Sequence, residues 1–296
     1  MKEILEIAGF SRQAHSQYME RRGVDEEIAQ IVISSVIEAR GMHPVMGLKK
    51  IYYLFKPDYI GRDRFIEIGV INGMAIQRLR SYQRTTFSNR YAQYKNLTVD
   101  LSILDINQVF VSDITYFRVG DVFYYLTFLM DVFSRRILGY VAYPTLEAKA
   151  NCIALNMALD ERQGMNLDKL IHHSDRGVQY TSNAYLNILK ARKIRVSMCE
   201  SVFENSHIER VNGIIKNEYL TNWKIQDFRT LKKCLKEAVN SYNNERPHWS
   251  IGTVPPVKYE LELKKIALSE RKPLVMFSND GRKINNNYYD QFSLFN

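Results

Sequence analysis

The order of residue patterns along this 296-residue chain predicts an α/β fold, a mixed β-sheet flanked by helices and preceded by a helical region. Helix-period apolar spacing dominates the first 95 residues, and β-branched and aromatic runs take over after about Asn107. Those runs then alternate with helical segments in the order β-β-β-α-β-α-β-α. Glu26–Arg40 sets Ile28, Ile31, Val32, Val36 and Ile37 on one side of a helix, behind an acidic start at Asp25. Met46–Phe55 and Arg62–Ile71 give two more, parted by the stop signal Lys56-Pro57-Asp58. Three short helices with a basic flank suggest a helix-turn-helix module, and a plain helical bundle fits the same residues. Val109–Phe117, Val122–Phe133 and Arg136–Ala142 follow as strands joined by short turns, an antiparallel meander. A helix at Leu146–Arg162, a strand at Leu170–Ser174, a helix at Asn183–Ala191, a strand at Ile194–Ser197 and a helix at Ser206–Tyr219 complete the sheet and its cover. Thr230–Asn244 adds a further helix.

A content of 46% hydrophobic and 12% aromatic residues excludes a disordered or collagenous chain, because such chains lack the apolar surface that offsets chain entropy. The longest uncharged apolar stretch, Val122–Met130, falls far short of the roughly 20 residues of a membrane-spanning helix. Met1-Lys2-Glu3 opens no signal peptide, so a soluble cytoplasmic protein is expected. Cys152, Cys199 and Cys234 are far apart and odd in number, which suits three reduced thiols better than a disulfide or a cysteine zinc site. A net charge of +9 suggests a polyanionic partner. Between Ile68 and Val99 there is no acidic residue, and Arg78, Arg80, Arg84, Arg90 and Lys95 alternate with Tyr82, Phe87, Tyr91 and Tyr94. That pattern suits a segment lying along a phosphate backbone, and a solvated linker would share it. Neither G-x-x-x-x-G-K-[ST] nor G-x-G-x-x-G occurs, so the chemistry is not expected to need ATP or a dinucleotide.

Three carboxylates stand out by position. Asp113 interrupts the strand run VFVSDITYF, where Asp is disfavoured unless hydrogen-bonded at an edge or kept for function. Asp175 falls where a short apolar strand ends, the usual ligand side of such sheets. Glu209 lies in the first turn of a helix, where an acid also complements the helix dipole. With 61 residues between the first two and 33 between the last two, each can reach a common point.

That spacing within this element order resembles the retroviral-integrase superfamily with its ribonuclease-H-like fold. The surrounding motifs, Ser112-Asp113-Ile114-Thr115-Tyr116, Met130-Asp131-Val132-Phe133-Ser134-Arg135, His173 to Ser182, Ile208-Glu209-Arg210 with Lys216-Asn217-Glu218, and Tyr242 to His248, resemble bacterial insertion-sequence transposases. Among these the match is to the catalytic second-reading-frame protein, usually made by frameshift fusion, and it runs from about Val109 to Pro256. The resemblance implies a DDE-type transposase acting on transposon terminal inverted repeats and target DNA. The catalytic and metal-binding residues would be Asp113, Asp175 and Glu209, holding two Mg²⁺ ions with Mn²⁺ able to substitute. The segment Ser197–Ser206 is about two residues shorter than the family pattern, which makes Glu204 a competitor for the third acid, with Glu200 less suited because it precedes the helix. Helical spacing puts Glu209, Asn212 or Gly213, and Lys216 on one face. Family resemblance implies that Lys216 contacts transposon-end DNA, and Asn212 and Arg246 are carried as further DNA contacts. At most one of His172 and His173 points inward, and Asp131 anchors the turn before Ser134-Arg135. The resemblance also implies a homo-oligomer and an upstream-frame helix-turn-helix and leucine-zipper partner, with the protein nucleoid-associated when on DNA. The expected organisation is a helical region at 1–95, a linker at 96–107, a catalytic core at 108–222, a helical extension at 223–271 and a loosely held tail at 272–296. A catalytically silent DNA-binding regulator and a ribonuclease-H-like nuclease remain the alternatives.

Overall fold

The computed structural model describes residues 11–76, 94–200 and 202–278. The chain divides into two compact units, residues 1–79 and 80–296.

The first unit contains helices α1 (Arg12–Met42), α2 (Leu48–Phe55) and α3 (Arg62–Ile71). Ser11 caps α1 by accepting from the Ala14 amide at 3.0 Å, so the helix begins well before the expected Glu26. Val32, Val36 and Ala39 pack against Met46, Leu48, Ile51, Ile60, Phe65 and Ile68. Ile31 and Ile37, expected on the same face, are 49% and 61% exposed. The buried stripe advances by fours from Ile28 through Val32 to Val36, and a neighbour one position away points about 100° off it.

The second unit holds β1 (Ser102–Ile103), β2 (Val109–Val119), β3 (Val122–Asp131), β4 (Ile137–Tyr143), α4 (Ala148–Glu161), β5 (Ile171–Ser174), α5 (Asn183–Ala191) and β6 (Arg195–Met198). It continues with α6 (Ser206–Ile214), α7 (Phe228–Asn244), α8 (Pro256–Leu263) and β7 (Leu274–Val275). The main sheet has the order β4-β3-β2-β5-β6. The β2–β3–β4 meander is antiparallel, and β5 and β6 add in parallel, which is the ribonuclease-H-like arrangement. Alternation along the strands builds a core on each face. Val109, Val111, Leu126 and Phe128 meet α6 and α7, while Phe110 and Leu129 meet α4 and α5. Close contact between β4 and α4 depends on Gly139, because a Cβ there would lie 1.9 Å from the Ala154 carbonyl oxygen.

Several segments expected outside the core are part of it. Leu231, Leu235 and Val239 of α7 and Tyr259 of α8 are buried in the sheet's core, and Glu260 of α8 accepts from both Arg136 and Arg162. In the expected linker, Leu97 N–H donates to Ser197 Oγ at 2.8 Å and Asn96 Nδ2 donates to Glu204 at 2.6 Å. Thr98 and Ile103 are buried. The start of the expected tail is also fixed, since β7 pairs antiparallel with β1 and buries Leu274. Hydrogen bonds and a two-residue strand pairing hold the linker and the start of the tail, and neither produces a long periodic pattern in sequence.

Candidate active site

The site begins where two parallel strands part. β2 and β5 run in register from Val109 opposite Ile171 to Ser112 opposite Ser174. Asp113 and Asp175 are the next residues on each chain, so the ladder delivers both carboxylates to one end of the sheet. Asp175 Oδ1 then accepts from the Gly177 amide at 3.0 Å, which turns the chain away from the sheet. A Cβ on Gly177 would stand 3.0 Å from that same oxygen. Ser112 Oγ donates to the Phe128 carbonyl at 2.9 Å, and Asn205 Nδ2 donates to the Ser112 carbonyl at 3.2 Å, so the strand beneath Asp113 is fixed from two sides.

α6 supplies the other wall. Asn212 Nδ2 donates to Asp113 Oδ2 at 2.7 Å, and Lys216 Nζ donates to Thr115 Oγ1 at 2.8 Å. The expected Ser206–Tyr219 helix is not uniform, because its α-helical hydrogen bonding ends at Ile214 and a π-helical turn spans Ile215–Tyr219. Glu218 in that turn receives two hydrogen bonds from Arg246, both 2.8 Å.

Burial, followed by the nearby negative charges of Asp175 and Glu209, pushes the Asp113 carboxyl up to about 8, against opposing hydrogen bonds from the Ile114 amide and Asn212. Asp175 and Glu209 are also raised, each chiefly by desolvation. Lys216 is lowered by burial and partly held up by Asp113. Glu209 therefore lies within electrostatic reach of Asp113, although its own side chain is exposed. Among the described residues no three His, Cys, Asp or Glu side chains form a ready-made metal cage.

Two family models, each described as an integrase core domain, match residues 105–201 and 193–256, together just over half of the chain. The chain belongs to the integrase-core family. It is similar to the 31 kDa protein of insertion element IS600 from Shigella sonnei, with 28% identity over 70% of this chain and 78% of that protein. A putative transposase for insertion sequence element IS986/IS6110 of Mycobacterium tuberculosis is 31% identical over 52% of this chain and 58% of its own length. Transposase InsF for insertion sequence IS3A of Escherichia coli is 30% identical over 52% and 54%. This integrase core is thus of the bacterial insertion-sequence type. Among solved structures, the HTLV-2 integrase catalytic core domain in complex with magnesium is 20% identical at a TM-score of 0.42, over 52% of this chain and 95% of that one.

Of the residues expected from sequence, the integrase core brings Asp113, Asp175, Asn212 and Lys216 to one end of the sheet, with Glu209 beside them. Asn212, expected to touch DNA, is 5% exposed and bonded to Asp113, so its place is beneath the carboxylate. Arg246, also expected on DNA, is 3% exposed with its guanidinium committed to Glu218 and so cannot meet a phosphate in this arrangement. Arg78, Arg80, Arg84 and Arg90 lie outside the described residues. Glu204, the competitor for the third acid, is buried and accepts from Asn96 and from the Glu200 amide at 2.7 Å, a bracing role. Both histidines of the pair are buried and held neutral by desolvation, His172 down to about 3 and His173 down to about 4. His172 bonds the Tyr185 hydroxyl, and His173 lies between Ser197 Oγ and Cys199 Sγ. Asp131 does anchor its turn, with Oδ1 accepting from the Phe133 and Ser134 amides and Oδ2 from the Asn107 amide. Sequence reasoning missed Arg135 and His207. The Arg135 guanidinium lies 2.6 Å from His207 Nδ1 and ties the β3–β4 turn to the start of α6. A left-handed Arg135, with φ of 63°, leaves no mark in the residue pattern.

Among the described residues, no helix is long and apolar enough to cross a membrane.

Proposed function

We propose that this integrase-core protein is a DDE-type DNA transposase that cuts phosphodiester bonds at the ends of an insertion sequence and transfers the freed strand to target DNA. The observation that carries the reading is the pairing of Asp113 and Asp175 at the parting of β2 and β5, with Glu209 close enough to help raise the Asp113 proton affinity. Carboxylates that repel one another beside a half-buried lysine call for a counter-ion, and hard oxygen donors select hard divalent cations. In this reading one or two Mg²⁺ ions, or Mn²⁺, would be held by Asp113, Asp175 and Glu209, hard oxygen donors that do not by themselves form a ready-made cage. Metal bound there would activate an oxygen nucleophile and neutralise charge on the transferring phosphoryl group.

The chain's own residues prepare that chemistry. Asn212 orients the Asp113 carboxylate, the Gly177 amide holds Asp175 in one rotamer, and Lys216 stands next to Thr115 where a cation meets a phosphate oxygen. With water as nucleophile the cut leaves a 3′-OH, and with that 3′-OH as nucleophile a target phosphodiester is exchanged for a new one. Exchange conserves the bond, so no nucleoside triphosphate is required. Binding of terminal repeats falls to the helical first unit and to an upstream-frame partner, and the active form is an oligomer that holds two element ends.

The test incubates purified protein with a duplex of the element's terminal sequence and Mg²⁺, with and without the upstream-frame protein. Nicking at the end followed by joining to a second duplex is expected. Binding without chemistry would favour a silent regulator, and cleavage of an RNA–DNA hybrid without joining would favour a nuclease.

A further inference from the structure

β2 outlasts its parallel neighbour. β5 ends at Ser174, opposite Ser112, whereas β2 runs on to Val119 and stays paired with β3 to the hairpin tip. Among the described residues no strand pairs the edge of β2 beyond Ser112. The hairpin therefore projects past the carboxylates, and it carries rings and cations in an unbroken run. Phe123, 48% exposed, sits directly across from Arg118, whose guanidinium carbon is 5.9 Å from its ring centroid. Tyr116 meets Phe123 edge to face at 5.5 Å, and Lys216 Nζ stands 5.3 Å from the Tyr116 ring. Cross-strand ring pairs stabilise a hairpin without needing to be exposed. Here Arg118 and Phe123 are exposed, and Tyr116 and Lys216 are partly exposed.

We propose that this strip, Lys216, Tyr116, Phe123 and Arg118, is a docking platform for a DNA strand whose bases are unpaired close to the reacting phosphate. It deepens the transposase reading and rests on it. Phe123 offers no hydrogen-bonding group, so it gains from a base face, and base faces inside a duplex are covered by their stacked neighbours. Lys216 and Arg118 at the two ends complement the strand's phosphates. A strand rise of about 3.3 Å per residue puts Tyr116 about 10 Å and Arg118 about 17 Å along β2 from Asp113, on the opposite face of the strand, and Lys216, which meets both Thr115 and the Tyr116 ring, joins the two faces round the open edge of β2. An unpaired strand can extend further per nucleotide than the roughly 3.4 Å of a duplex, so the strip lies within a few nucleotides of the reacting phosphate. Unlike Arg246, Arg118 is solvent-exposed, positioned by the Gly120 carbonyl at 2.8 Å and paired at 2.6 Å with an Asp121 that is itself fully in solvent, so a phosphate can compete for it.

The experiment uses the full chain without divalent ions and two probes of one sequence, a fully paired duplex and a fork with five unpaired nucleotides carrying 2-aminopurine. Wild type should bind the fork roughly tenfold more tightly than the duplex and quench the 2-aminopurine. Phe123→Ala should abolish both effects at unchanged thermal stability, and Phe123→Tyr should restore them. Equal binding of both probes by wild type, or an unaltered fork preference in Phe123→Ala, overturns the platform. So does a Phe123→Ala effect confined to oligomeric state, which would assign the strip to a second copy of the chain. Strand joining is assayed separately with Mg²⁺. Joining that persists without fork preference sinks the platform alone, whereas fork preference without joining sinks the transposase reading alone.

Discussion

Binding of Mg²⁺ to the carboxylates should release a proton, and the size of that coupling follows from Asp113. Its carboxyl is raised from 3.8 to about 8, by burial first and then by Asp175 and Glu209. The metal-free protein at pH 7 therefore holds Asp113 largely protonated. A divalent cation binds the carboxylate form, so metal and proton compete. The direction is fixed. Apparent Mg²⁺ affinity rises as pH rises toward 8, by about tenfold per pH unit below that value, and levels off above about pH 9. Titration calorimetry between pH 6 and 9, in two buffers of different ionisation enthalpy, reads both the affinity and the protons released. About one proton per bound site is expected at pH 7 and close to none at pH 9. Asp113→Asn should remove the pH dependence and weaken binding at every pH. A flat affinity from pH 6 to 9 with no proton release would refute the argument that Asp113 is a metal ligand carried at high proton affinity.

Three substitutions test the supporting structure. Arg246→Ala removes a buried guanidinium and both of its hydrogen bonds to the partly exposed Glu218, and should cost about 1–3 kcal/mol of stability by chemical denaturation. The salt dependence of DNA binding by the folded fraction should stay unchanged, and a slope reduced by one charge would return Arg246 to the DNA surface. Gly139→Ala drives a methyl into the Ala154 carbonyl, and a loss of about 3 kcal/mol or more is expected, so near-neutral stability would contradict the close β4–α4 packing. The two competing acids should separate cleanly. Glu209→Gln should abolish joining with stability changed by no more than about 0.5 kcal/mol, whereas Glu204→Ala should lose stability by leaving Asn96 and the Glu200 amide without their acceptor; the reverse pattern would exchange their roles.

Asp113 and Asp175 were legible in the sequence because a carboxylate in or just beyond an apolar strand breaks a short-range pattern, and both strands were visible from their β-branched runs. The antiparallel meander followed from the same runs, whereas the placing of β5 and β6 beside β2 did not. Arg246 shows the limit. In Asn244-Glu245-Arg246-Pro247-His248 it reads as a basic surface motif, and only a partner 28 residues upstream, presented by a π-helical turn, turns it into a buried structural cation. Nothing local encodes that turn, because Ile215–Tyr219 continues an ordinary helical pattern. Asn212 was placed on the right face by spacing, but spacing cannot distinguish a side chain that contacts DNA from one that holds Asp113. Ile31 and Ile37 were misplaced for a related reason. A helix with apolar residues around much of its circumference does not declare which stripe its neighbours will cover.

The most direct measurement is strand joining by wild type and Asp113→Asn on a pre-cut terminal duplex with Mg²⁺, with binding followed in the same samples. Wild type should join the 3′-OH end to target DNA, and Asp113→Asn should bind the same duplex with joining reduced by at least about a thousandfold. Joining that survives in Asp113→Asn would contradict the assignment of the reaction to the carboxylates at the parting of β2 and β5.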